Sequence, residues 1–224
     1  MANASLSLPK KILTPLKPEI VEQLAVALPS WPALRVLKLE FMKSPLQRQR
    51  NDPISASAFK ALMVAVERSS IVDFELSGYR FDDGAELAQL TSAIQSRERR
   101  NPGKGLQKLK ISECWLAYPG DLASLLAFVS NNESIREIEL DLMDCSKSLF
   151  SNPGQFVELR ELVHSCPNLR KLTLPWQFRA FEEEKNKILG ERLARDAKSE
   201  VFMILRQQYQ VPKELIYEVL NQMR

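Results

Sequence analysis

The chain has 224 residues, of which 45% are hydrophobic and 26% charged, and its 31 basic and 28 acidic residues leave a net charge of +3. This is the composition of a globular protein, long enough for one domain or one domain with a small cap. The near balance of charge argues against nucleic acid or a membrane surface as the partner, and no apolar run reaches the length of a membrane span.

Residues 1–16 carry Pro9 and Pro15 and little periodicity, and read as a loose lead-in. The start, MANASLSLPKK, lacks the apolar core of a secretory signal, so a cytoplasmic location is expected. Pro18 opens a helix with Ile20, Val21, Leu24, Ala25 and Leu28 on one face. Residues 1–33 thus form a lead-in and capping helix over the first strand.

A pattern LxxLxL follows at Leu34-Leu37-Leu39 and returns at Ile71-Phe74-Leu76, Leu106-Leu109-Ile111, Ile135-Ile138-Leu140 and Leu169-Leu172-Leu174. Successive starts lie 37, 35, 29 and 34 residues apart. Each copy predicts a short strand, and apolar runs at helical spacing lie between them. These runs are Phe59-Leu62-Met63-Val66, Leu87-Leu90-Ile94, Leu122-Leu125-Val129 and Phe156-Leu159-Leu162-Val163. Crossovers long enough to hold a helix imply parallel pairing.

Between these elements, Met42 to Ser55 and Met143 to Pro153 read as inserted loops. Ser55 or Ser57 can cap the helix after the first loop, and an Asp of Asp82-Asp83-Gly84 can cap the next. That helix ends in Arg97, Arg99 and Arg100, which suit its negative end and are expected to be solvated. Beyond Trp176 the pattern stops. Residues 179–224 form a charged helix with an apolar stripe, then a last helix after Pro212, together a helical C-terminal cap.

A strand-and-helix unit cannot bury its apolar face alone, so five copies in order imply stacking. The repeated pattern resembles the leucine-rich-repeat family. The central copy is most similar to ribonuclease-inhibitor-like repeats, with Cys114 at its ninth place. The other four copies hold Met42, Tyr79, Met143 and Gln177 there. The resemblance implies an α/β leucine-rich-repeat solenoid, or horseshoe, over residues 34–178. About five parallel strands would line its concave side and helices its convex side. It also implies a non-catalytic protein-binding regulator or inhibitor that occludes a partner, an enzyme or another effector. The compact repeats with a helical end resemble effectors of intracellular bacteria, which would place the protein in host cytoplasm. LPKKIL at 8–13 and VPKELIYEVL near the end resemble the opening of an F-box, which would imply a ubiquitin-ligase receptor or adaptor.

Strand side chains alternate, so the residues between the buried leucines face solvent. They form one row of Val36, Asp73, Lys108, Glu137 and Lys171, and a second of Lys38, Glu75, Lys110, Glu139 and Thr173. Signs alternate from strand to strand, which suits pairing within the sheet and registration of a protein partner. Phe41, Tyr79, Trp115, Leu142 and Trp176 follow the strands, with Tyr118 and Phe178 nearby. Of these, Tyr79, Trp115 and Trp176 join the two rows as expected partner contacts, because aromatics commonly anchor interfaces.

No residue set points to catalysis. The single histidine, His164, lies two positions from Cys166 at a helix end, and neighbours on one helix rarely supply nucleophile and base geometry. Cys114, Cys145 and Cys166 are scattered and odd in number, which fits free thiols in a reducing compartment and gives no zinc spacing. Phosphate-loop and dinucleotide motifs are absent. The expectation is therefore no enzyme, no cofactor, no metal and no small-molecule substrate, with another protein as the partner.

Overall fold

The computed structural model describes residues 18–41, 54–81, 84–116, 125–127, 129–130, 132–143 and 157–222. The lead-in, the loops at 42–53 and 144–156, the Asp82-Asp83 cap, Tyr118 and Cys145 lie outside these residues.

Six strands form one sheet: β1 (Val36–Glu40), β2 (Asp73–Ser77), β3 (Arg80–Phe81), β4 (Lys108–Leu116), β5 (Glu137–Met143) and β6 (Lys171–Thr173). The order is β1-β2-β4-β5-β6, with β3 also against β4, and every pair is parallel. The five expected strands are all present, each beginning just beyond the first apolar residue of its LxxLxL. The backbone explains the offset. The amides of Val72 and Asp73 both donate to the Arg35 carbonyl, and those of Gln107 and Lys108 to the Val72 carbonyl. Arg136 and Glu137 repeat this on Gln107, as do Arg170 and Lys171 on Arg136. Each approach segment is thus pinned to the one before it, and the register is set before the strand begins.

The leucine positions point to one side. Leu37, Leu39, Phe74, Leu76, Leu109, Ile111, Ile138, Leu140 and Leu172 are all buried. Four helices bury apolar faces on that side: α1 (Pro18–Ala27), α2 (Ala56–Arg68), α3 (Gly84–Arg100) and α4 (Val157–Ser165). Residues 125–127 are also helical. Helix α2 is capped by Ser55, the residue before it, whose Oγ accepts from the Ala58 amide at 3.1 Å. Gly105 approaches a neighbouring turn closely. Its amide donates to Ser134 Oγ at 2.6 Å, and a Cβ there would meet that same hydroxyl and Glu98. Gly78 takes φ 70° in the turn between β2 and β3, a conformation that costs glycine little.

Residues 181–224 form a second compact unit. Its helices are α5 (Glu182–Gln207) and α6 (Lys213–Gln222). They meet at Phe202 and Tyr217, whose ring centroids are 5.5 Å apart. Glu182, Glu183 and Glu184 occupy the first turn of α5, where the helix dipole favours negative charge. Among the described residues no helix is long and apolar enough to cross a membrane.

The solenoid, or horseshoe, expected from the repeats is not what the described residues show. They form an open parallel sheet in a mixed α/β fold. The physical reason lies in the unequal copies. Only the central one has a ninth-place cysteine, β3 adds an unforeseen pairing, and β4 carries a register shift that its neighbours lack.

Candidate binding face of the sheet

Register brings the outward residues together as the alternation predicts. Val36 lies beside Asp73, then Lys108, Glu137 and Lys171. Lys38 lies beside Glu75, then Lys110, Glu139 and Thr173. A third row, which sequence reasoning passed over, runs Glu40, Ser77, Ser112 and Asp141.

The second row is a continuous ion-pair ladder. Lys38 Nζ lies 2.5 Å from Glu75 Oε2, Lys110 Nζ 3.3 Å from Glu75 Oε1, and Lys110 Nζ 3.2 Å from Glu139 Oε1. In the first row Lys108 Nζ lies 3.1 Å from Glu137 Oε2. Burial pushes the Glu75 carboxyl up, but hydrogen bonds and charge from Lys38 and Lys110 outweigh it and hold the group below its ordinary value. Burial pushes Lys110 down, and Glu139 and Glu75 together raise it above its ordinary value. The hydrogen bond to Glu137, against a smaller effect of burial, raises Lys108. A shallow depression lined by Val36, Lys38, Asp73, Phe74, Glu75, Lys108 and Lys110 lies over these two rows.

Trp115 reaches the open face through a break in alternation. Strict alternation from Lys108 would turn Cys114 outward and Trp115 inward. Instead the register shifts between Ser112 and Cys114, and Glu113 takes φ 53°. A left-handed conformation costs an L-residue roughly 1–2 kcal/mol. The extra residue reverses the parity, as a bulge does. Cys114 is then fully buried, its Sγ 3.4 Å from the Ser112 carbonyl, while Trp115 is 38% exposed. Arg80, opposite in β3, holds its guanidinium carbon 5.8 Å from the Trp115 ring centroid. The signal was in the sequence: apolar spacing changes from two at Leu109-Ile111 to three at Ile111-Cys114, then returns to two at Leu116.

Tyr79 is not a surface contact. It is 5% exposed, stacks on Phe59 at 4.8 Å, and meets Phe41 and Phe81 edge-on at 5.0 and 4.9 Å. Its hydroxyl donates to Glu86 Oε1 at 2.8 Å. The aromatic cluster between α2 and the strand ends claims it. Phe41, Leu142 and Phe178 are likewise buried, and the side chain of Trp176 lies outside the described residues. The arginines ending α3 also divide. Arg99 and Arg100 are exposed, with Arg100 donating to Glu67 Oε1 at 2.7 Å, but Arg97 is buried. Cys166 is buried, its thiol 3.1 Å from the Val129 carbonyl, and His164 is exposed beside Ser130, Glu161 and Ser165.

No protein-family model matches this chain, and no curated protein matches it. Solved structures do. The C-terminal domain of tropomodulin from Caenorhabditis elegans is similar with a TM-score of 0.58 and 17% identity, over 79% of this chain and 95% of that one. The domain named Leiomodin-1 Actin-Binding Site 2 is similar with a TM-score of 0.58 and 11% identity, over 87% of this chain and 99% of that one. The chain shares the fold of these domains.

This likeness replaces the resemblance to leucine-rich-repeat proteins, and with it the readings as a ribonuclease-inhibitor-like inhibitor, a bacterial effector or an F-box-like receptor. LxxLxL spacing reports buried positions in a parallel strand, and a strand meets that demand wherever a helical layer covers one face of the sheet. The spacing therefore carries a strand, and not by itself a family.

Proposed function

We propose that this chain is an actin-binding domain that acts by non-catalytic protein binding through the open face of its sheet. The observation that carries this reading is the likeness, over nearly the whole of both chains, to the domain named for actin binding in leiomodin-1. The exposed Trp115 supplies an aromatic of the kind that anchors protein interfaces. The near balance of 31 basic and 28 acidic residues supports a protein partner over nucleic acid or a membrane.

The test is direct. The purified chain is sedimented with actin filaments and, separately, titrated into labelled monomeric actin. Saturable binding to either form is expected. Absence of binding to both, at the highest concentration the chain tolerates, defeats the reading.

A further inference from the structure

The open face is electrically divided. The first row holds two residues of each sign, Asp73 beside Lys108 and Glu137 beside Lys171. The second also holds two of each sign, joined in the ladder. Each charge there has an opposite charge on the adjacent strand. The third row is different. Glu40 lies beside Ser77 and Asp141 beside Ser112, so among the described residues neither carboxylate has a cation opposite it on the adjacent strand. Both are exposed. Three strand spacings of ~4.8 Å put them about 14 Å apart. Beyond this row stands Trp115, turned outward by the strained bulge at Glu113. Backbone strain persists only where the surrounding structure enforces it, and it collects at functional positions.

We propose that the third row and Trp115 are the contact region of this face, and that they fit a protein surface presenting two cationic groups flanking an apolar one. The ion pairs Lys38–Glu75–Lys110–Glu139 and Lys108–Glu137 fix strand register and contribute little to binding, because each of these charges already has a partner to lose. The proposal deepens the reading of the face as a protein-binding surface but does not require the partner to be actin. Complementary charges at a contact steer association and exclude wrong partners.

The test uses two probes, a fluorescent octa-lysine peptide followed by anisotropy, and actin in whichever form the chain binds. Glu40→Gln with Asp141→Asn removes two negative charges without changing side-chain size. Glu137→Gln with Glu139→Gln removes the same charge from the ladder. The third-row pair is expected to weaken octa-lysine binding at least about tenfold and to flatten its salt dependence. The ladder pair should weaken it no more than about threefold. Trp115→Ala should weaken actin binding at least about tenfold. Thermal unfolding of each variant separates lost contacts from lost folding. If octa-lysine fails to bind the native chain, or binds the third-row variant as tightly, the proposal is overturned. If the octa-lysine result is as expected but actin does not bind, the actin reading fails and the basic-partner inference stands.

Discussion

At the scale of single residues, burial and position in the ladder decide what a change does. Ile138 is 2% exposed in the central strands, so Ile138→Ala leaves a cavity. A loss of about 2–5 kcal/mol is expected, visible as a lower denaturation midpoint in urea. A midpoint equal to that of the native chain contradicts the assigned register. Tyr79 gives a separate case. Its hydroxyl donates to the buried Glu86, and removing one partner of a buried hydrogen bond costs about 1–3 kcal/mol. Tyr79→Phe keeps the aromatic packing and should lower stability by that amount, with binding per folded molecule unchanged. Loss of binding without loss of stability would return Tyr79 to the interface. Alternation predicted which strand residues face outward, but could not predict Tyr79. It lies past the end of β2, where the Phe41–Phe59–Phe81 cluster decides orientation.

At the scale of elements, the start of α2 and the charge ladder make distinct demands. Two serines near that helix start could cap it, and only the fold selects Ser55. Ser55→Ala should cost about 0.5–2 kcal/mol and Ser57→Ala little, measured by thermal unfolding. The ladder links β1, β2, β4 and β5, so its titration belongs to the sheet. Glu75 has a folded pKa below its unfolded value. Its contribution is present above the unfolded value of about 4.3 and is lost as pH falls through the lower folded value. Lys110 has a folded pKa above its unfolded value. Its contribution is full below about 10.4 and is lost as pH rises through the folded value. Urea midpoints should therefore hold between these limits and fall outside them, and Lys110→Met should shallow both falls. An unchanged profile in that variant would remove the ladder from the stability of the sheet. Lys110→Glu would set three carboxylates side by side, so it perturbs the sheet as well as any partner.

At the scale of the whole molecule, helices bury one side of the sheet and the outward rows of the described residues lie on the other, and binding should respect that division. Trp115→Ala on the open face should weaken actin binding at least about tenfold. Lys60 is exposed on α2, on the helical layer, and Lys60→Glu should change binding by less than about threefold. The reverse outcome, read in the same co-sedimentation assay, places the partner on the helical side. The second unit, α5 and α6, shows Leu193, Met203, Tyr209, Leu215 and Tyr217 exposed. The sequence stripe gave those helices their periodicity but not which of their apolar residues would be covered.

The sequence by itself determined the five main strands, their parallel pairing and the composition of the first two outward rows. It could do so because a half-buried strand needs apolar residues at alternate places, and crossovers of about 30 residues leave room for a returning helix. It did not determine the family, since the same spacing arises wherever helices cover one face of a parallel sheet. Only the tertiary structure decided that Tyr79 is core, held among Phe41, Phe59 and Phe81. Only it showed how Trp115 keeps the outward place expected of it, through one extra residue at Glu113 that reverses the parity of everything after it in β4. Only the structure decided, too, which charges spend themselves on one another. Lys110 and Glu139 are far apart in the chain and adjacent in space, whereas Glu40 and Asp141 meet serines across the sheet. Ion pairing depends on distance between side chains, and that distance exists only once the strands are side by side.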